Sequence, residues 1–358
     1  VLIRGRRFPD VGGAACSFAA HSCLPLQRVQ PDGARSPQYP AASRHAGVMR
    51  YDVRRENSAC TGSVIPEFRA RRAMHVQEPS FVAIDGRRLA YDERHPANPA
   101  DTRGTILLLT GLASKRLGWA RQLDVFGREY RVIAMDHRDT GDSDPVSDAY
   151  TVADLADDAA SLLRALGISR AHIIGISLGG FTALQFAARH ADMLDRLVLV
   201  STAAGGSVYV PAAPEIIALL SPASDMEIGE RAMHSYSRIM APGFVAAHPE
   251  ELERIAATAR YRPQTAASYM RQLQAVLSHD VVDALPRITA PTLVIHGDID
   301  PLVPPQNGRY LAQHIPGARL IMYQNTGHIP IIERMDDFNR DVLTFLAGEI
   351  PPDAQSLY

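Results

Sequence analysis

The sequence predicts an α/β fold: a mostly parallel sheet with helices on both faces and a helical insertion over one edge. Three observations lead there. Short apolar strands alternate with helical segments from about residue 80 onward, the pattern of a parallel sheet buried on both sides. One of these strands, residues 171–176, runs straight into Gly175-Ile176-Ser177-Leu178-Gly179 and then into a helix. Between residues 201 and 291 the alternation stops and only helix-like stretches remain.

Each element has a local reason. Residues 81–84 and 88–91 flank Asp85-Gly86, a hairpin turn signal. Residues 105–110 (TILLLT) and 131–134 (RVIA) are short apolar strands. Thr151 opens a helix with Asp154 as its acidic cap partner, and Leu155, Leu162, Leu163 and Leu166 fall on one side. After Ser177, the helical run 178–190 repeats Gly179, Ala183 and Ala187 every fourth residue, a small-residue face that can lie close on a sheet. Residues 196–200, 291–296 and 318–323 complete the expected strands. In the insertion, helices are expected over 214–220, 226–240, 249–260 and 265–277.

Composition sets the outer limits. The chain has 358 residues, 46% of them hydrophobic, enough for a substantial core. A net charge of -2 gives no whole-chain case for a nucleic acid or an anionic membrane as partner. No uninterrupted apolar stretch is long enough for a transmembrane helix. Cys16, Cys23 and Cys60 all lie far from the serine motif, which argues against a disulfide framework and a cysteine nucleophile. No metal site and no nucleotide cofactor are expected. Lys115 is the single lysine; the other basic residues are arginine.

Residues 1–73 differ from the rest. They carry 12 arginines against 5 acidic residues and no sustained periodicity, and are expected to be a disordered or non-native extension. Arg6-Arg7 resembles the start of an export signal, but Asp10 and two glycines interrupt the apolar stretch that should follow. Met49 or Met74 is the expected natural start, and the expected location is cytoplasmic. The remaining chain divides into a core, 74–204 and 284–350, and a helical cap, 205–283.

The chemistry centres on Ser177. A serine between two glycines at a strand-to-helix turn is held in a strained conformation with its hydroxyl exposed at a helix N-terminus. A hydroxyl is a weak nucleophile, so a base and an orienting acid are required. Two loops just past strand ends can supply them: Gly297-Asp298-Ile299-Asp300-Pro301 and Asn325-Thr326-Gly327-His328-Ile329. His328 is the expected base, with His296 the competitor; His172 and His190 flank the elbow on segments whose side chains should point elsewhere. Asp300 and Asp298 are both open as the acid. Asp300 is preferred because its place in the loop can turn back toward the base, while Asp298 can stabilise the turn. The oxyanion donors are expected at the backbone N–H groups of Leu178 and Leu112. Met226, Met233, Tyr236, Met240, Tyr269 and Met270 suit an adaptable apolar substrate wall, with Met233, Tyr236 and Met240 the chosen contacts.

Taken jointly, TGLA, DHRDTG, GISLG, GDIDPLVP and TGHIP resemble the α/β-hydrolase family in its single-cap branch, over roughly residues 81–346. The resemblance implies a triad of Ser177, His328 and Asp300, favouring Asp300 over Asp298. One position departs from the family: Thr110-Gly111 stands where His-Gly is usual, which puts the hydrogen bonding of that loop in question. The DHRDTG stretch, with Asp139 where many relatives have glycine, is similar to that of aclacinomycin methylesterases. The expected activity is therefore cleavage of a small-molecule carboxylic ester through an acyl-enzyme. A cofactor-free perhydrolase, a carbon–carbon bond hydrolase and a non-catalytic binding protein are the alternatives. Epoxide hydrolases and haloalkane dehalogenases need an aspartate nucleophile, against which Ser177 speaks.

Overall fold

A computed structural model describes residues 78–221 and 225–357. The readings of the N-terminal extension, of Met49 and Met74, and of the three cysteines lie outside the described residues.

Nine strands form one sheet: β1 (Ser80–Ile84), β2 (Arg87–Arg94), β3 (Thr105–Leu109), β4 (Arg131–Met135), β5 (Ala171–Ile176), β6 (Leu194–Val200), β7 (Thr292–Gly297), β8 (Arg319–Tyr323) and β9 (Gln355–Ser356). Their order is β1-β2-β4-β3-β5-β6-β7-β8-β9. Neighbours from β4 to β8 are parallel, while β1–β2, β2–β4 and β8–β9 are antiparallel. The central strands are continuous apolar runs because both faces are covered. Leu107, Leu109 and Ile173 point to one face, against α2 (Val152–Ala165), α3 (Leu178–Arg189) and α9 (Gln306–His314). Ile106, Leu108 and Ile174 point to the other, against α1 (Ala120–Phe126) and α11 (Met335–Leu346). At the start of α2 the expected cap is present as a full capping box between Thr151 and Asp154.

Between β6 and β7 the described residues hold helices and no strand: α4 (Pro214–Ile217), α5 (Ile228–Ile239), α6 (Pro242–Ala247), α7 (Pro249–Arg260) and α8 (Ala266–Leu277). Short α6 and the polar edge strand β9 were not legible in the sequence. A 3-10 turn, residues 218–220, replaces the C-terminal half of the helix expected over 214–220.

Two carboxylates in the loop after β4 tie this helical segment to the sheet. Asp139 receives two hydrogen bonds from the Arg271 guanidinium of α8, both 2.9 Å. Asp142 accepts from Arg116 (2.8 Å), from the Tyr261 hydroxyl (2.7 Å) and from Arg262 (3.1 Å).

Candidate active site

Strand β5 ends at Ile176 and α3 begins at Leu178, so Ser177 alone makes the turn, with φ 55 and ψ -118. The flanking glycines are required by close backbone approach. A Cβ on Gly175 would lie 2.1 Å from the Gly179 carbonyl oxygen, and one on Gly179 would lie 2.1 Å from the Leu109 carbonyl oxygen. The turn is braced by Thr202, whose hydroxyl donates to the Ser177 carbonyl (2.9 Å). Leu178 is the first helical residue, where N–H groups have no acceptor within the helix.

The loops after β7 and β8 pack backbone on backbone. A Cβ on Gly297 would lie 2.2 Å from the carbonyl oxygens of Thr326 and Gly327. That closeness brings the Asp300 carboxylate to the His328 ring: Nδ1 and Oδ2 are 2.8 Å apart, both residues buried. The other carboxylate oxygen accepts from the backbone of Leu302 (2.9 Å) and Val303 (3.0 Å). Burial pushes the Asp300 carboxyl up, but His328 and hydrogen bonds from His296 and His328 outweigh it and hold the group at about 2. His296, the competing candidate for the base, lies instead beside the Asp300 carboxylate. It is fully buried, its Nε2 donates to the Val303 carbonyl at 2.7 Å, and it lies 3.4 Å from Asp300. Asp298 is elsewhere, accepting from the Thr326 N–H at 3.2 Å as the turn brace expected of it.

Ser177 and His328 line one cavity of about 1090 Å³, together with Gly111, Leu112, Tyr236 and Tyr269. Two of the three preferred wall residues are not there. Met240 is buried in the same apolar cluster as Ile239, Ile329 and Ile331, and Met233 is not among the lining residues. The α5 residues that face the cavity are Ile228, Arg231, Ala232, Ser235, Tyr236 and Ile239. Met226 and Met270 are exposed.

The departure at Thr110 has a local solution. Its hydroxyl donates to the Ser114 carbonyl (3.2 Å), and the Ser114 N–H returns to the Gly111 carbonyl (3.1 Å), closing the loop on itself. His137 holds the Thr110 carbonyl through Nε2 (3.2 Å). Burial lowers His137 to about 4, so it is neutral at physiological pH. From α8, Gln272 accepts the Ala113 N–H at 2.8 Å, tying the Leu112 loop to the helical segment.

Glu333, on α10 (Pro330–Glu333), is a positioning residue that the sequence did not disclose. Its buried carboxylate accepts the N–H groups of Gly327 (2.8 Å), Ile329 (2.9 Å) and Ala241 (2.8 Å), bracketing His328 on both sides. The His328 N–H itself donates to the Ile239 carbonyl (2.8 Å), and a Cβ on Gly327 would sit 2.4 Å from that same oxygen. Only a glutamate three residues after a proline hints at this in sequence.

A strained serine at the carboxyl edge of a parallel sheet, sharing a cavity with an acid-bound imidazole, defines a hydrolase of the α/β class. The chain belongs to the α/β-hydrolase superfamily: residues 100–335 match the family described as serine aminopeptidase, S33. Over 270 residues it is 33% identical to "Putative carbamate hydrolase RutD" of Caulobacter sp. (strain K31), covering 74% of this chain and 97% of that protein. Among solved structures, the enol-lactonase from Burkholderia xenovorans LB400 is 30% identical with a TM-score of 0.64, covering 75% of this chain and 99% of that one. A thermophilic esterase from Thermogutta terrifontis is 26% identical with a TM-score of 0.64, covering 76% and 99%.

Proposed function

We propose that this chain is a serine hydrolase that cleaves a carboxylic ester through an acyl-enzyme. The observation that carries the reading is the 2.8 Å contact between His328 Nδ1 and Asp300, with the imidazole facing the cavity that Ser177 also lines. With Nδ1–H held by the carboxylate, Nε2 is left as the acceptor for the serine proton. Ser177 Oγ attacks the carbonyl carbon while His328 takes its proton. The oxyanion is held by the N–H groups of Leu112 and Leu178. His328 returns the proton to the leaving alkoxide, and water, deprotonated by the same ring, releases the acid. Asp300 remains ionised throughout and supports the imidazolium. The segment 205–283 acts as the cap that shapes the acyl and alcohol subsites.

A carbamate presents the same kind of carbonyl, and the similarity to the RutD protein makes it the second substrate class to assay. A fluorophosphonate probe should label the folded protein at Ser177. Ser177→Ala should abolish labelling and reduce kcat by several powers of ten, with its melting curve unchanged to within about 1 kcal/mol. Wild-type turnover in that variant would remove Ser177 from the mechanism.

A further inference from the structure

The one lysine of the chain lies in the wall of the cavity. Lys115 is three residues past Leu112, on the loop assigned to the oxyanion, and is only 5% exposed. Its ammonium donates to the carbonyl of Thr258 on α7 at 3.1 Å, and Lys115 and Thr258 both line the cavity. A neutral carbonyl satisfies one of three N–H donors and none of the charge. Among the described residues, no carboxylate lies within 4 Å of it.

The two carboxylates whose charges act on Lys115, Asp136 and Asp142, are committed elsewhere. Asp136 accepts from the Arg116 side chain (2.5 Å) and backbone (2.7 Å) and from the Asp142 N–H (3.0 Å). Asp142 is held by Arg116, Tyr261 and Arg262. On the cavity's α7 side, Glu251 is paired with Arg121 at 2.6 Å and with Arg254 at 3.5 Å. Burial lowers the Lys115 ammonium to about 8, against the pull of Asp136 and Asp142 in the other direction. A buried cation is costly unless paired, and the open side available to Lys115 is the cavity.

Resting on the serine-hydrolase reading, we propose that Lys115 is a substrate-binding residue that pairs with an ionised carboxylate carried by the substrate, remote from the carbonyl that Ser177 attacks. The substrate class is then a half-ester or carboxylated lactone rather than a neutral ester. A monoanion fits better than a phosphate dianion, because a single point charge with two remaining donors sits close to the field of Asp136 and Asp142.

The test compares monoethyl esters of succinic, glutaric and adipic acids with the corresponding neutral diethyl esters, on the full chain. Wild type should favour one half-ester over its diester at least tenfold in kcat/KM, and added salt should erode that preference. Lys115→Met should lose most of the preference through KM, about 30-fold on the half-ester, and stay within about threefold on the diester. A wild type that prefers the diesters, or a variant equally damaged on both, overturns the proposal. Glutarate and adipate binding, measured by calorimetry, reads the same site without turnover. Binding that weakens at least tenfold in Lys115→Met supports it, and no binding to wild type or equal binding to both forms overturns it. Should Lys115→Met fail to fold, the wild-type ester preference and its salt dependence decide alone. Failure of the serine-hydrolase reading shows separately, as absent fluorophosphonate labelling.

Discussion

Two loops leave the carboxyl edge of the sheet carrying buried carboxylates, and their partners differ. The loop after β4 holds Asp136, Asp139 and Asp142, each matched to a guanidinium: Arg116, Arg271, and Arg116 with Arg262. The loop after β7 holds Asp300, which faces His328 and His296 and no arginine among the described residues. Burial does not separate them, since all four carboxylate side chains are almost wholly covered. An arginine keeps its proton at any working pH, so its pair with a carboxylate is a fixed clamp. An imidazole gains and gives up a proton near neutrality, so the same carboxylate beside it can support a charge that comes and goes. The partner's chemistry marks one loop as the fastening of the helical segment, and on the proposed mechanism it makes the other part of the reactive centre.

The sharpest way to break this contrast is Asp300→Asn. The amide can no longer stabilise an imidazolium and favours the wrong tautomer, so kcat should fall about 10⁴-fold, while fluorescence-monitored unfolding still gives a single cooperative transition. A loss under tenfold would put Asp300 with the clamps. The pH profile sharpens the point. Asp300 is held at about 2, below its ordinary value of 3.8. A depressed carboxyl stabilises the fold fully above its unfolded pKa and loses that contribution as pH falls through about 2. That contribution is about 2 kcal/mol at neutral pH. Protonation of Asp300 should therefore contribute no acid limb to kcat/KM above its ordinary value of 3.8. An acid limb above that value that disappears in Asp300→Asn would contradict this.

Arg271→Ala tests the clamp side. It strips both 2.9 Å hydrogen bonds from Asp139 and leaves a buried carboxylate without its cation. Because Arg271 is itself partly exposed, the expected loss is about 2–3 kcal/mol, at the low end for a broken buried pair. Asp139→Asn in the same background should recover part of it by removing the charge, and asparagine tolerates the φ of 68 at that position. Denaturant titration measures both. Fluorophosphonate labelling of the refolded Arg271→Ala protein should stay within about fivefold of wild type. A hundredfold drop would make the loop after β4 part of the chemistry.

Much of this was legible before any coordinates, for identifiable reasons. Buried parallel strands announce themselves as short apolar runs, so the central strands were expected within two residues. The edge strand β9 is two exposed polar residues, Gln355 and Ser356, with no apolar pattern to read. The turn at Ser177 was legible because Gly175 and Gly179 act locally, on each other's backbone and on Leu109. Met233 and Met240 were chosen for their composition, which says that a side chain is apolar and not which way it faces; Met240 turned into the core. Gln272 and Lys115 gave no signal of these contacts and Glu333 only a faint one, because what matters is the distant chain each one meets: Ala113, Thr258 and Gly327. The arginine clamps were invisible for the same reason.

The smallest predicted effect is the most discriminating, because it concerns two aspartates in one loop. Residues alone left Asp298 and Asp300 both open with a preference for Asp300 from its place in the loop, and family resemblance favoured the same one. Asp298 is half-buried and accepts a long hydrogen bond, 3.2 Å, from the Thr326 N–H. An asparagine side-chain carbonyl can accept that same N–H, so Asp298→Asn replaces a charge-assisted bond by a neutral one and costs about 1 kcal/mol or less. kcat should remain within about threefold of wild type, against the 10⁴-fold loss expected two residues later. Parallel measurement of kcat and denaturant midpoint on the two variants checks the pair. Equal losses in both would mean that the loop tolerates no change of charge anywhere, and that the 2.8 Å contact between Asp300 and His328 does not single out one carboxylate.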